Sequence, residues 1–179
     1  MINEFYSHAK PSNNKAKKLF ISLLAIAALI CVLYLAIDRF KGIVGLFCVF
    51  AIAFAVFIYT KYVSAEYFYD VTHDSNGSPV FVVRQVTGKR STTLCRIDLH
   101  SIVAVKRLSA KEKSEHKTEA GCKKYYYLPT LMPESVVLLT VNSPSERAEI
   151  FIEAQDEFAS FLRSYAIEAR ESRFDSDDF

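Results

Sequence analysis

Two apolar runs decide the fold: LFISLLAIAALICVLYLAI at Leu19–Ile37 and IVGLFCVFAIAFAVFIYT at Ile43–Thr60. Neither run contains a charged residue, and each is long enough for a helix to cross a bilayer core, which takes roughly 17–25 residues. Only the short stretch Asp38–Gly42 separates them, which is too few residues to hold a domain. We therefore expect a transmembrane helical hairpin at 19–63, which returns the chain to the side of the membrane from which it entered.

Basic residues flank this hairpin unequally. The two flanks that share one side carry five of them, namely Lys10, Lys15, Lys17, Lys18 and Lys61, whereas the turn carries Arg39 and Lys41 beside Asp38. Because positive flanks remain in the cytoplasm, we expect a multi-pass protein of the inner or plasma membrane with both termini cytoplasmic. A cleaved signal peptide is disfavoured for the first run, because its apolar length exceeds the usual ~7–15 residues and no small-residue cleavage site follows.

The remainder of the 179-residue chain divides into three parts. We expect residues 1–18 to form a disordered basic leader, 64–170 to form one cytosolic domain, and 171–179 to form a disordered acidic tail. The four cysteines include no Cys-x-x-Cys pair, and nothing demands a disulfide. That usage is typical of the reducing side of a membrane.

The domain is predicted to contain about seven strands followed by one helix. Aromatic and β-branched runs bounded by turn residues predict strands at Glu66–Thr72, Val80–Thr87, Thr92–Leu99, Ile102–Leu108, Lys123–Tyr127, Ser135–Val141 and Arg147–Ile152. The polar residues 109–121 between them are expected to form a long exposed loop. Apolar residues at helical spacing then predict an amphipathic helix, with its stripe at Phe158, Phe161, Leu162, Tyr165 and Ala169. The class is therefore α+β, with a bent sandwich or partly open barrel whose open end the helix covers.

This order of strands and helix behind a two-span hairpin resembles the bacterial pleckstrin-homology-like membrane proteins, in particular Firmicute-type members. The stretches that carry the likeness are Gly88–Arg90 followed by Arg96–Val103, Lys124–Pro129 followed by Met132–Pro133, and Glu153–Arg163. The resemblance covers roughly residues 66–170 together with the hairpin. It implies a seven-stranded bent β-barrel capped by a C-terminal α-helix, a fold that hosts many binding functions.

One departure from that family bears on lipid recognition. Pleckstrin-homology domains that bind phosphoinositides place cations in and beside the first loop between strands. Here that loop, His73–Pro79, contains neither lysine nor arginine. Since phosphate recognition needs cationic donors, no specific phosphoinositide binding is expected there.

Charge is unevenly distributed along the domain. Residues 80–124 carry eleven Lys/Arg and four Asp/Glu, whereas residues 125–179 carry four and eleven. Either the basic residues form a surface turned to the anionic inner leaflet or an acidic partner, or the two halves pair across strands on folding. The residues that would make such an electrostatic surface are Lys89, Arg90, Lys106, Arg107, Lys111, Lys113, Lys117, Lys123 and Lys124.

Other chemistries find little support in the sequence. Cys95, His100 and Cys122 lack the close spacing of zinc ligands, and no nucleophile, metalloprotease or phosphate-loop motif is present. We expect no catalytic residues, no metal and no cofactor. Nucleic-acid binding through Lys111–Lys124 and Tyr125–Tyr127 is not expected either, because consecutive strand residues face alternate sides and at most two of these tyrosines could share a stacking platform.

The sequence thus predicts a membrane-anchored, non-enzymatic binding or scaffold module. Its ligand would be a protein partner or the anionic surface of the inner leaflet. The alternative is a structural accessory subunit of a larger membrane complex such as a transporter, in which the hairpin packs against the partner and the domain is a brace.

Overall fold

The computed structural model describes residues 5–9, 13–36, 41–143 and 146–174. Helix α1 spans Asn13–Ala36 and helix α2 spans Lys41–Ile58, which a π-helical turn at Tyr59–Val63 continues. Both helices are long and apolar enough to cross a membrane. Most of the predicted turn between them lies outside the described residues.

The apolar side chains of the two helices point away from the protein. Ile21 and Phe50, for example, are 63% and 64% exposed. The buried residues of these helices include small ones such as Ala27 and Ala55, as expected where helix backbones approach closely. A hairpin that leaves so much apolar surface uncovered suits a lipid solvent rather than water.

The rest of the chain forms a β-rich head with eight strands among the described residues. The strands are β1 (Phe5–Ala9), β2 (Ala65–His73), β3 (Pro79–Thr87), β4 (Arg90–Asp98), β5 (Ile102–Ser109), β6 (Lys123–Tyr127), β7 (Ser135–Asn142) and β8 (Arg147–Ile152). They make two sheets with the orders β1-β2-β3-β4 and β5-β7-β8-β6. Every neighbouring pair is antiparallel except β6 and β8, which are parallel.

The two sheets bury one core between them, and helix α4 (Asp156–Phe174) closes one side of it. Tyr69 and Phe81 enter the core from the first sheet, Leu139 enters it from the second, and Phe158 and Leu162 enter it from α4. The apolar stripe predicted for the last helix is therefore confirmed at its two most buried positions. Helix α4 contacts β5 and β1, so it covers the side of the sandwich where those two strands lie.

The seven-stranded bent β-barrel that the resemblance implies is not confirmed. The sheets are not closed into a barrel, because β4 ends one sheet and β6 ends the other without pairing to each other. The strand count among the described residues is eight because the N-terminal segment, predicted to be a disordered leader, contributes β1. All seven predicted strands differ from the observed ones only at their ends, or not at all, and β6 and β8 coincide with their predictions.

The prediction of a disordered leader at 1–18 is wrong wherever the structure describes it. Residues 5–9 pair with β2, with Ala9 opposite Tyr67, and α1 has already begun at Asn13. Two side chains fix the strand. The hydroxyl of Ser7 accepts a hydrogen bond from the backbone N–H of Gln155 at 3.3 Å, and the His8 ring stacks on Phe68 with ring centres 4.2 Å apart.

Two further corrections concern segments expected to be irregular. The exposed loop 109–121 begins with a short helix, α3 (Ala110–Glu115), which starts at a capping box between Ser109 and Glu112. Each of these residues bonds the backbone N–H of the other, which satisfies donors that a helix start leaves free. The prediction of a disordered acidic tail at 171–179 is also wrong for its first residues, because α4 continues to Phe174. The rest of this tail lies outside the described residues.

Candidate functional site

The strand register shows which end of the head lies next to the apolar helices. Strand β2 begins at Ala65, just after the π-helical turn, and Ala65 pairs with Thr87 on β3. Thr87 in turn pairs with Arg90 on β4. The turn between β3 and β4, which contains Lys89, therefore lies at the span-proximal end of the first sheet, and both Lys89 and Arg90 are exposed there.

The span-proximal end of the second sheet is identified by a groove at the end of α2. We call it the juxtamembrane groove; it has a volume of about 390 Å³, and its lining includes Phe57, Lys61, Tyr67, Gln85 and Tyr126. Tyr126 thus places the C-terminal end of β6 beside the exit of the hairpin. Helix α3 also lies near this groove, because the ammonium group of Lys113 lies 5.7 Å from the centre of the Tyr126 ring.

The remaining predicted basic residues are scattered. Lys106 and Arg107 are exposed on β5, where Arg107 forms an ion pair with Asp156 and donates a 3.0 Å hydrogen bond to Ser135. Lys111 is exposed on α3, and Lys117 is exposed in the segment that follows it. Burial lowers the pKa of Lys113, as desolvation of a cation must.

Lys123 and Lys124 lie at the far end of the head. They begin β6, about 13 Å and 10 Å along the strand from Tyr127 at ~3.3 Å per residue. The ammonium group of Lys123 lies 2.6 Å from a carboxylate oxygen of Glu146, and this hydrogen bond raises the pKa of Lys123 and lowers that of Glu146. The nine predicted residues therefore do not form one continuous face. Within the described part of the chain, two of them, Arg107 and Lys123, pair with acidic residues of the later half.

A second groove, which the sequence did not predict, lies between the unpaired strands β4 and β6. This edge groove has a volume of about 510 Å³. Leu94 and Ile97 of β4 form one wall, Tyr125 and Tyr127 of β6 form the other, and β8 contributes Ile150. Because neither edge pairs with another described strand, backbone donors and acceptors face the groove on both sides.

An irregularity in β4 turns one of these backbone groups into the groove. Val83 pairs with Cys95 and Arg84 pairs with Thr93, so Leu94 is an extra, unpaired residue of a β-bulge. The backbone carbonyl of Leu94 accepts a 3.4 Å hydrogen bond from the hydroxyl of Tyr127 on the opposite wall. This long bond bridges the two edges without a strand between them.

Charged and neutral groups both line the edge groove, since its lining includes Arg96, Asp98 and Glu146 beside apolar residues. Arg96 contacts Asp74 at 2.5 Å, and the pKa of Asp74 is lowered chiefly by the hydrogen bond from the backbone N–H of Ser75 and further by Arg96. Inside the groove, burial raises the pKa of Cys95 and that of Tyr127. Both groups therefore remain protonated and neutral at physiological pH.

Two expectations about other chemistries can be compared with the geometry. The tyrosine rings divide as predicted, since Tyr125 and Tyr127 stack with centres 6.2 Å apart while Tyr126 stacks on Phe151. Among the described residues no cluster of three or more His, Cys, Asp or Glu side chains is placed to hold a metal ion, so Cys95, His100 and Cys122 do not converge.

Comparisons with known proteins add no assignment. Neither a protein-family model nor a curated protein matches the chain.

Proposed function

We propose that this chain is a membrane-anchored, non-catalytic binding module that docks an extended segment of a protein partner close to the bilayer. The observation that carries the proposal is the edge groove, which places two unpaired strand edges on either side of a space lined by both apolar and charged residues. The hairpin would hold the head at the membrane. The basic flanks of the hairpin favour a cytoplasmic head.

A strand is the ligand that best satisfies such a groove. Its backbone can exchange hydrogen bonds with a sheet edge, and its alternate side chains can enter the space between the walls. The edge of β4, Arg90–Asp98, runs for nine residues without a proline. A partner strand that pairs with this edge would satisfy its open backbone groups.

The relation to pleckstrin-homology-like proteins belongs to the same proposal. Two packed sheets followed by a C-terminal helix support it, since α4 fills one side of the sandwich much as the resemblance implies. The added strand β1 and the parallel pairing of β6 with β8 are departures from the implied barrel.

Peptide selection on the full chain tests the docking function. The chain is placed in phosphatidylcholine nanodiscs and used to select linear peptides from a random display library. Two native thiols then report where a selected peptide binds, because Cys95 lines the edge groove whereas Cys122 lies outside it. We expect selected peptides to slow alkylation of Cys95, to leave Cys122 unchanged, and to protect amides of β4 and β6 from hydrogen exchange.

Either of two results would contradict strand docking. One is failure to enrich any peptide over a glycine–serine control. The other is protection of both thiols, or of neither, by the peptides that are enriched. An integral-membrane protein that stays bound to the chain at fixed stoichiometry in mild detergent would instead favour the accessory-subunit alternative.

The anionic surface of the leaflet is a second candidate ligand, favoured by the position of Lys89 and Arg90. Both are exposed at the span-proximal end, and neither forms an ion pair among the described residues. Each cation near an anionic surface contributes about 1 kcal/mol of attraction.

Hydrogen exchange tests this second ligand. Amides of 87–90 should exchange more slowly in phosphatidylglycerol than in phosphatidylcholine nanodiscs, and this difference should shrink at high salt. The double variant K89E/R90E should lose the difference, whereas K124E should keep it; equal exchange in both lipids would exclude this surface.

A further inference from the structure

The juxtamembrane groove has the composition of an anion site with an apolar wall. Lys61 is the charged residue in its lining, and no acidic side chain of the described residues joins it there. The Lys61 ammonium group lies over the rings of Phe57 and Tyr62, 5.6 and 5.3 Å from their centres, and it forms no ion pair among the described residues. A cation held in this way has donors available for a negatively charged oxygen.

The same groove also contains a buried tyrosine. Tyr67 lines the groove and is only 2% exposed, yet its hydroxyl has no hydrogen bond among the described residues. Burial raises the pKa of Tyr67, and the neighbouring Tyr62 raises it further, so the group stays a neutral donor. Buried polar groups are nearly always bonded, and an unbonded one that lines a cavity indicates an acceptor supplied from outside the chain.

The position of the groove indicates which kind of molecule supplies that acceptor. Phe57 and Lys61 belong to the last turns of the second apolar helix, which places the groove where hydrocarbon gives way to headgroups if the hairpin spans a bilayer. The backbone there is a π-helical turn, a form that often occurs at functional sites. A molecule bound at this depth can leave its acyl chains in the bilayer and present its phosphate to the groove.

We propose that the juxtamembrane groove binds the headgroup of one anionic glycerophospholipid, with Lys61 and Tyr67 donating to its phosphate oxygens. This inference rests on the proposed membrane anchoring, but it is independent of peptide docking in the edge groove. Gln85 also lines the groove and offers amide donors to the remainder of the headgroup. The site differs from the loop at 73–79, where the sequence argued against phosphoinositide binding.

Native mass spectrometry of the full chain tests the proposal. The chain is extracted from carbonate-washed membranes, delipidated in detergent and titrated with phosphatidylglycerol. We expect one lipid to bind in preference to further copies, and K61Q and Y67F each to weaken its binding about tenfold, or about 1.4 kcal/mol, because each variant loses a charge-assisted hydrogen bond to the phosphate. The matched controls K124Q and Y6F alter exposed residues elsewhere and should bind as the wild type does.

Thermal unfolding separates binding from folding. Since the Tyr67 hydroxyl has no hydrogen-bond partner among the described residues, Y67F should unfold at the wild-type temperature without lipid and lose only the stabilisation that phosphatidylglycerol adds. Unchanged lipid binding by K61Q and Y67F would overturn the site, and complete displacement of the lipid by excess inorganic phosphate would overturn its assignment to a lipid. Release of the chain by the carbonate wash would instead refute membrane anchoring itself.

Discussion

Tyr69 joins the two sheets through a single hydroxyl group. Its side chain is completely buried on β2; the hydroxyl donates to the backbone carbonyl of Tyr127 at 2.7 Å and accepts from the backbone N–H of Glu153 at 3.2 Å. Strand β2 belongs to the first sheet, whereas both partners belong to the second sheet or follow it directly. The phenol therefore helps to hold together a sandwich that no shared strand closes.

Replacing Tyr69 with phenylalanine should be costly for this reason. The change leaves a buried carbonyl and a buried N–H without their partner, and we expect the free energy of unfolding to fall by about 1–3 kcal/mol. Urea unfolding of the full chain in detergent, followed by near-ultraviolet circular dichroism, measures it. The control Y126F removes a hydroxyl with no described partner from a half-exposed ring; an equal loss in both variants would contradict the role given to Tyr69.

Glu153 should make the stability of the head depend on pH. Its half-buried carboxylate accepts from the backbone N–H and the hydroxyl of Thr130, but burial outweighs these bonds and raises its pKa above the ordinary value of 4.5. Below that value the group is protonated in both the folded and the unfolded state. As pH rises through the raised folded pKa, the folded state must ionise a desolvated group, and stability falls.

The variant E153Q should therefore become more stable relative to the wild type as pH rises. We expect the difference in unfolding free energy between the two proteins to shift in favour of E153Q from pH 4 towards neutrality. Because all other titrating groups are common to both, the comparison isolates Glu153. Stability curves that remain parallel over this range would show that burial does not control this carboxyl.

At the scale of single elements, β1 protects an edge that would otherwise be open. It pairs with β2 along Phe5–Ala9, and Ser7 ties it to the segment that precedes α4. Deleting residues 2–9 would leave the β2 backbone unpaired on that side. We expect hydrogen exchange to accelerate at alternate amides of 67–71, those that point towards β1, while amides of β7 stay protected. Unchanged exchange in β2 would mean that β1 contributes nothing to the sheet.

Elements whose residues show a local pattern of apolar positions, helical or alternating, could be predicted from the sequence. The helical stripe through Phe158 and Leu162 and the short alternating strands are local patterns, and the observed bounds follow them closely. Helix α3 was also predictable, since Ser109 and Glu112 have the spacing of a capping box that the polar composition obscured. Strand β1 was not, because five residues with a buried serine and alanine carry too weak a pattern without β2 beside them.

At the scale of the whole molecule, strand order is what the sequence could not supply. Which strands are edges depends on pairing between distant segments, so neither the open β4 edge nor the parallel β6 has a local signal. The edge groove and the bulge at Leu94 that lines it were missed for that reason. The basic residues were found by composition, but composition could not show that Lys89 and Lys124 lie at opposite ends of the head.

The central claim is that a two-span hairpin holds a β-rich head on the cytoplasmic side. Labelling of single cysteines in intact cells with a membrane-impermeant maleimide tests it most directly, in a variant whose four native cysteines are replaced by serine. The account predicts that K41C, at the tip of the hairpin, is labelled in intact cells and that S114C, on the exposed helix α3, is labelled only after permeabilisation. Labelling of S114C but not K41C in intact cells would contradict it.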